Sequence, residues 1–251
     1  MKKLPKTKII ATLGPASIEK EMIRKLAKEG VSVFRINCSF TNEEELRNLI
    51  NKTREVTKEI ERPIAISQDL TGPRIRIGKF KKEKVELDDD QEFILTTNQC
   101  EGDENKVYVD YPGITEEVTP GNLIYIDDAS IKLKVTEVEE ERIKTKALMD
   151  GTLSSYKGVN IPQAEISLGG LTEEDKKMAK IGAEEGVDFI AISFIRDQRD
   201  IKNLKNHLKS NDLEIPGIIS KIERKEALNN INKIIESSDG LMVARGDLGL
   251  E

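Results

Sequence analysis

The 251-residue sequence contains no tryptophan, four tyrosines and six phenylalanines. At 4% aromatic residues there are too few rings for a base-stacking surface, so binding single-stranded nucleic acid by stacking is not expected. A net charge of −6 also removes the broad basic surface that DNA or an anionic membrane would require. Cysteine is scarce: Cys38 and Cys100 are far apart and lack metal-ligand spacing. That usage fits a reduced protein without a disulfide framework, and the expectation is a cytoplasmic one. The basic start, MKKLPKTKIIATLG, has an apolar run too short for a signal segment, and no stretch approaches the roughly 18 apolar residues of a membrane span. The single histidine, His207, sits in the polar stretch IKNLKNHLKS and reads as solvated helix surface.

What the sequence does contain is 37% hydrophobic and 34% charged residues, the balance of a globular protein. Its length allows one large domain or two ordinary ones. Short apolar strands alternate with amphipathic helices at the start. KIIATLG (8–14) reads as a strand, and SIEKEMIRKLAKEG (17–30) as a helix capped by Ser17 and stopped by Gly30. VFRINCS (33–39), a helix opened by Asn42 with an acidic first turn, and PIAISQDL (63–70) continue the rhythm. From about Gly72 to Lys157 the alternation has period two, broken by Gly- and Asp-rich turns, which predicts an independent all-β segment. The strand–helix rhythm resumes at 171, with Thr172 as a helix cap and strands at 189–194, 216–223 and 240–247.

Consecutive strand–helix units imply parallel strands with right-handed crossovers. The reading is an α/β fold: a (β/α)8-type (TIM) barrel, incomplete at six βα units, with an inserted all-β domain. The expected division is 1–71 and 158–251 for the barrel and 72–157 for the insert. A doubly wound open sheet is the alternative from pattern alone. Six strands of an intended eight would expose two edges, so a homo-oligomer, a partner chain or a rearranged sheet is expected.

In a strand, Lys221 and Glu223 project from the same face. They form either a solvated ion pair or part of a site, because buried charge is costly unless paired or metal-bound. Other strand ends carry polar residues too: RINCS (35–39), QDLTGPRIR (68–76), SFIR (193–196) and MVARGDLG (242–249). On a closed barrel these ends converge, which would bring Lys221, Glu223 and Asp247 to one pocket. Two carboxylates suit Mg²⁺, a lysine beside it could neutralise developing charge, and Arg35 and Arg76 offer the fork that phosphate prefers. Taken singly, a Lys-x-Glu pair also fits a surface ion pair, and ARGDLG a turn.

The ordered stretches TKIIATLGPAS, RINCSF, DLTGPRIR, KGVNIP (157–162), SFIR, KIE and MVARGDLG resemble the signatures of the pyruvate kinase family. That resemblance implies phosphoryl transfer between phosphoenolpyruvate and ADP, giving pyruvate and ATP, with the β insert as a mobile lid. It implies Mg²⁺ or Mn²⁺ on Glu223 and Asp247, and Lys221 acting on the transferring phosphoryl group and the enolate. Arg35 would contact phosphate, and Arg76 and Lys157 the nucleotide phosphates, with Asn37 alongside. Ser193 and Phe194 would line the substrate pocket, and the backbone at Gly246 and Asp247 would hold the substrate carboxylate. Asn37, Ser39, Asp69 and the Leu70 carbonyl match the family's monovalent-cation site.

Several positions depart from the family pattern: Phe40 replaces a histidine, and Leu70, Thr71 and Arg74 replace Thr, Lys and Glu. Ala129 replaces a glycine, and Ala disfavours positive φ. In the resembling family a positive charge at the position of Arg74 goes with independence from K⁺, so no K⁺ requirement is expected. Two other roles remain open: a phosphoenolpyruvate- and metal-binding paralogue, or a catalytically incomplete fold kept for interaction or regulation.

Overall fold

The computed structural model describes residues 6–164 and 166–250, so the basic residues 1–5 lie outside the description. The chain divides into two compact units. The first comprises residues up to Pro73 together with Gly169–Val243, and the second Arg74–Leu168 with the segment from Ala244 onward.

The first unit begins with β1 (Ile9–Thr12), α1 (Lys20–Glu29), β2 (Val31–Asn37), a 3₁₀ turn at Cys38–Phe40, α2 (Glu43–Glu59) and β3 (Ala65–Asp69). Helix α1 starts later than its sequence suggests. Ser17 is not its cap; it closes a turn with Gly14, whose N–H donates to Ser17 Oγ at 3.0 Å, and Glu19 precedes the helix with no side-chain cap. Gly30 does end α1, at φ 120°, a conformation a side chain would strain. Asn42 caps α2 through a capping box with Glu45, and Leu46, Ile50, Thr53 and Val56 form the buried stripe of that helix.

The second unit holds β4 (Lys84–Leu87), β5 (Glu92–Thr96), β6 (Lys106–Tyr108), α3 (Ile114–Glu117), β7 (Leu123–Ile126), β8 (Ile131–Glu139), β9 (Arg142–Ala147), β10 (Gly151–Ser154) and β11 (Val159–Asn160). Its strands form a six-stranded sheet ordered β11-β7-β8-β9-β5-β6 and a pair β10-β4. Along β8, Ile131, Leu133 and Val135 are buried while the intervening residues are exposed, the period-two pattern of a one-sided strand. Phe80, Phe93, Leu95, Ile124, Ile143 and Leu153 belong to its core. This unit extends past the division expected at Lys157, because Val159 pairs with Ile126 and Ile161 and Ile166 join the core. The short helix α3 was not apparent from the alternation.

The chain returns to the first unit with α4 (Glu173–Glu184), β12 (Phe189–Ile192), α5 (Gln198–Ser210), β13 (Gly217–Ile222), α6 (Lys225–Asn229), α7 (Ile231–Ser237) and β14 (Gly240–Val243), after which α8 (Arg245–Leu248) belongs to the second unit. The strand read over 240–247 therefore ends at Val243. The parallel order is β1-β2-β3-β12-β13-β14, with β1 and β14 as edges. Central strand β3 is buried from Ile66 to Asp69, as expected when both faces of a parallel sheet are covered. Its register sets Asn37 against Asp69 and Asp69 against Ala191. His207 is not simply solvated: it is half-buried, with Nε2 3.1 Å from the Lys176 carbonyl of α4.

Residues Asp127, Asp128 and Ala129 all adopt left-handed backbone, with φ of 55°, 53° and 65°. The family-typical glycine is absent, yet Ala129 takes the positive φ that Ala disfavours. A left-handed non-glycine costs about 1–2 kcal/mol, while glycine adds about 0.4–1 kcal/mol of unfolded-chain freedom. Ala129→Gly is therefore expected to stabilise the second unit by about 0.5–1 kcal/mol. Hydrogen exchange of the β7 and β8 amides measures this; faster exchange in the variant would contradict it.

Candidate functional site

In the first unit, the carboxyl ends of β1, β2, β3, β12 and β13 bring together Thr12, Arg35, Asp69, Ser193, Lys221 and Glu223. Parallel register does this directly: Thr12 faces Arg35 across β1 and β2, Asp69 faces Ala191 across β3 and β12, and Ile192 faces Ser220 across β12 and β13. Lys221 Nζ lies 2.7 Å from Ser193 Oγ, 2.9 Å from Glu223 Oε1 and 3.3 Å from Asp69 Oδ1. Three acceptors thus meet the three donors of one ammonium. Asp69 and Glu223 are each 1% exposed. The Lys-x-Glu pair is therefore a buried ion pair, not a surface one.

Asp69 reaches a second cation as well. Arg35 Nε donates to Asp69 Oδ2 at 2.6 Å, its Nη2 contacts the same carboxylate, and Nη1 donates to Thr12 Oγ1 at 2.9 Å. Two cations and two carboxylates make a neutral group, the condition under which burial of charge is tolerable. Ser193 Oγ donates to the Leu70 carbonyl at 2.6 Å while accepting from Lys221.

Phe194 sits at φ 54°, a strained conformation for a bulky residue. That turn points its N–H at Glu223 Oε2, 2.6 Å away, so Glu223 is gripped at both oxygens. The Arg224 guanidinium lies 5.6 Å from the centre of the Phe194 ring, within cation–π range. Behind this, Gly72 at φ 71° lies so close to Ser193 that a Cβ would meet its carbonyl at 2.9 Å. The Gly72 N–H donates to Asp175 Oδ1 at 3.0 Å. Thr12, Asp175 and Arg224 were not singled out from the sequence; Asp175 was visible only as an acidic residue in the first turn of a capped helix.

The oxygens matched to a monovalent-cation site have protein partners. Asn37 Oδ1 accepts from the Ser39 N–H at 3.1 Å, and Ser39 Oγ lies 3.3 Å from Thr71 Oγ1. Asp69 and the Leu70 carbonyl are engaged as described above.

In the second unit, Arg76 donates through Nη1 to the Tyr156 carbonyl at 3.1 Å, and its own N–H donates to Asp110 Oδ1 at 2.7 Å. Burial, then the charge of Arg74, pull the Arg76 pKa down, and burial raises that of Asp110. Arg76 lines a cavity of about 500 Å³ with Lys79, Cys100, Tyr108, Asp110 and Tyr156. Lys157 Nζ pairs with Asp127 at 3.0 Å. Arg74 pairs with Asp128 at 3.2 Å and lies 4.0 Å from Asp247. Its guanidinium covers Gly158, where a Cβ would stand 2.3 Å from Nε. Gly246 and Asp247 lie in α8 of this unit, while Glu223 lies in the first. Among the described residues no three or more His, Cys, Asp or Glu side chains cluster as a metal centre.

A family model described as pyruvate kinase, barrel domain, matches residues 4–251. The chain belongs to the pyruvate kinase family. It is 40% identical over 246 residues to the pyruvate kinase of Thermococcus litoralis, covering 98% of this chain and 52% of that protein. It is 40% identical over 245 residues to the pyruvate kinase of Thermotoga maritima, covering 98% and 52%. The pyruvate kinase of Staphylococcus aureus matches at 40% over 248 residues, covering 98% and 42%. The chain thus spans about half the length of the curated relatives it matches.

In this pyruvate kinase family member the family's histidine position, Phe40, is 84% exposed, and the neighbouring Cys38 packs inward. Burial pushes the Cys38 thiol from 9.0 up to about 12, against a hydrogen bond from Gln68. Because the folded pKa is raised, the stability held by the neutral thiol is complete below pH 9.0 and is lost as pH rises towards about 12. Near pH 8, iodoacetamide is expected to alkylate Cys38 at least ~10²-fold more slowly than an ordinary thiol. Peptide mass spectrometry over time checks this, and rapid labelling of Cys38 in the folded chain would refute it.

Proposed function

We propose that the chain carries out the chemistry of pyruvate kinase: transfer of a phosphoryl group from phosphoenolpyruvate to ADP, giving pyruvate and ATP. The observation that carries this reading is the buried ammonium of Lys221, held by Ser193, Asp69 and Glu223 beside the guanidinium of Arg35. A fixed, buried cation suits charge that develops on a transferring phosphoryl group and on an enolate oxygen. In this reading Arg35 contacts the phosphate, Ser193 and Phe194 line the substrate pocket, and the backbone at Gly246 and Asp247 holds the carboxylate. Arg76, Lys157 and Asn37 serve the nucleotide, with Arg76 and Lys157 meeting its phosphates.

Glu223 and Asp247 would hold Mg²⁺ or Mn²⁺, which would supply positive charge for the substrate oxygens. Glu223 fits that role because the Phe194 N–H fixes the orientation of its carboxylate, and hard oxygen donors suit these ions. Two carboxylates suffice for Mg²⁺, which keeps much of its water.

We take the parallel sheet as six strands of a (β/α)8 barrel, the second unit as its inserted lid, and the cytoplasm as its setting. The edge strands carry exposed apolar residues: Ile9 and Ile10 on β1, Leu241 and Val243 on β14. That pattern fits packing against further βα units, and a homo-oligomer or a partner chain is the association we propose. No nucleic acid or membrane partner is expected; among the described residues no helix is long and apolar enough to cross a membrane.

A coupled assay for pyruvate and ATP tests the activity, and titration with phosphoenolpyruvate and Mn²⁺ tests the site in the chain as it stands. Binding without turnover would support a phosphoenolpyruvate-binding paralogue, and no binding a fold kept for interaction. Asp247→Ala is expected to weaken Mn²⁺ binding at least ~10-fold, and Lys221→Met to lower turnover about 10²–10³-fold with metal affinity retained. Unchanged Mn²⁺ affinity in the first variant, or near-parent turnover in the second, would remove the assigned roles.

Turnover is expected to need no K⁺, with Arg74 providing the fixed charge. Arg74→Glu would replace that fixed positive charge with a negative one, so K⁺ dependence should appear. Initial rates at constant ionic strength with and without KCl decide this; strong activation of the parent by K⁺ would overturn it.

A further inference from the structure

Asp69 invites a role other than ion binding, because both of its oxygens are already committed to the protein's own cations. Oδ2 accepts from Arg35 Nε at 2.6 Å, and Oδ1 lies 3.3 Å from Lys221 Nζ and 3.3 Å from Ser193 Oγ. The carboxylate is 1% exposed and its strand is the buried third of the sheet. It is therefore a rigid bridge between a guanidinium on β2 and an ammonium on β13, two strands that do not pair with each other.

We infer that Asp69 is the positioning residue that fixes Arg35 and Lys221 relative to one another, so that an anion meets two cations in a set geometry. Without that carboxylate the two like charges repel, and each has an alternative: Arg35 keeps Thr12 and is otherwise partly exposed, and Lys221 keeps Glu223 and Ser193. A site for a phosphate-bearing anion needs both cations aimed at once, since misplacement of about 1 Å can cost ~10²-fold in rate. The planar fork of arginine makes its orientation matter more than its charge alone. The inference rests on the proposed phosphoryl-transfer reading only for the identity of the anion, phosphoenolpyruvate; the geometry does not depend on it.

The test uses Asp69→Asn, which has nearly the same shape and removes one negative charge. By charge alone this variant should bind an anion more tightly, because the neutral group becomes net positive. By lost positioning it should bind more weakly. The expected result is at least ~10-fold weaker phosphoenolpyruvate binding by calorimetry, equal in K⁺ and in tetramethylammonium buffers, with an unchanged circular dichroism spectrum. Tighter or equal binding would overturn the inference, and so would a loss seen only in K⁺ buffer, which would make Asp69 an ion ligand.

A second measurement needs neither substrate nor variant. In the parent, nuclear magnetic resonance of the Arg35 Nε–H should show exchange with water at least ~10-fold slower than that of exposed Arg142, because Asp69 holds it. Exchange as fast as that of Arg142 would overturn the bridge even if Asp69→Asn does not fold. Slow exchange in a parent that binds no phosphoenolpyruvate would leave the bridge intact and remove the proposed reaction instead.

Discussion

One buried ammonium organises the first unit. Lys221 cannot be taken from water without partners, and its three donors find Ser193, Glu223 and Asp69 at 2.7, 2.9 and 3.3 Å. Each partner lies on a different strand end or turn, so satisfying one side chain ties the ends of β3, β12 and β13 together. Asp69 then needs a second cation to balance the group, which Arg35 supplies from β2. The cost of uncompensated buried charge is several kcal/mol per ion, so each charge of the group is held beside a partner of opposite sign.

Backbone strain follows from that constraint. Phe194 takes a left-handed conformation at φ 54° that aims its N–H at Glu223, while Gly72, free to adopt φ 71°, donates to Asp175 where a side chain would collide with Ser193. Both lie within three residues of strand ends, where the chain must turn away from the sheet while leaving polar groups pointing back. The second unit shows a parallel economy. Its left-handed run at Asp127–Ala129 places two carboxylates on Lys157 and Arg74, so cations read as nucleotide contacts meet protein anions first.

Much of this could be read from local pattern. Parallel βα units, the caps at Asn42 and Thr172, the stop at Gly30 and the period-two alternation of the second unit are near-neighbour effects, and the structure contains them. Ser17 misled because a serine before an apolar helix fits a cap and a tight turn equally well; the turn with Gly14 won. His207 misled because polar neighbours in sequence say nothing about the carbonyl of Lys176 on an adjacent helix. The limit of the second unit at Leu168 is not legible because 159–168 has too few residues to show a period; the pairing of Val159 and Asn160 with β7 and the packing of Ile161 and Ile166 in its core assign it.

The sequence by itself determined the family, the parallel strand–helix order and the set of strand ends that carry Arg35, Asp69, Ser193, Lys221 and Glu223, because these depend on short-range periodicity and on residue types at fixed spacing. Tertiary structure alone decided who pairs with whom. That Asp69 bridges Arg35 and Lys221, that Arg74 turns to Asp128 and Asp247, and that Phe194 strains to reach Glu223 depend on strand register and on which charges burial forces to share a partner. Pairing between residues tens to more than a hundred positions apart leaves no local pattern, since any acid and any base would look alike until the fold brings them within 3 or 4 Å of each other.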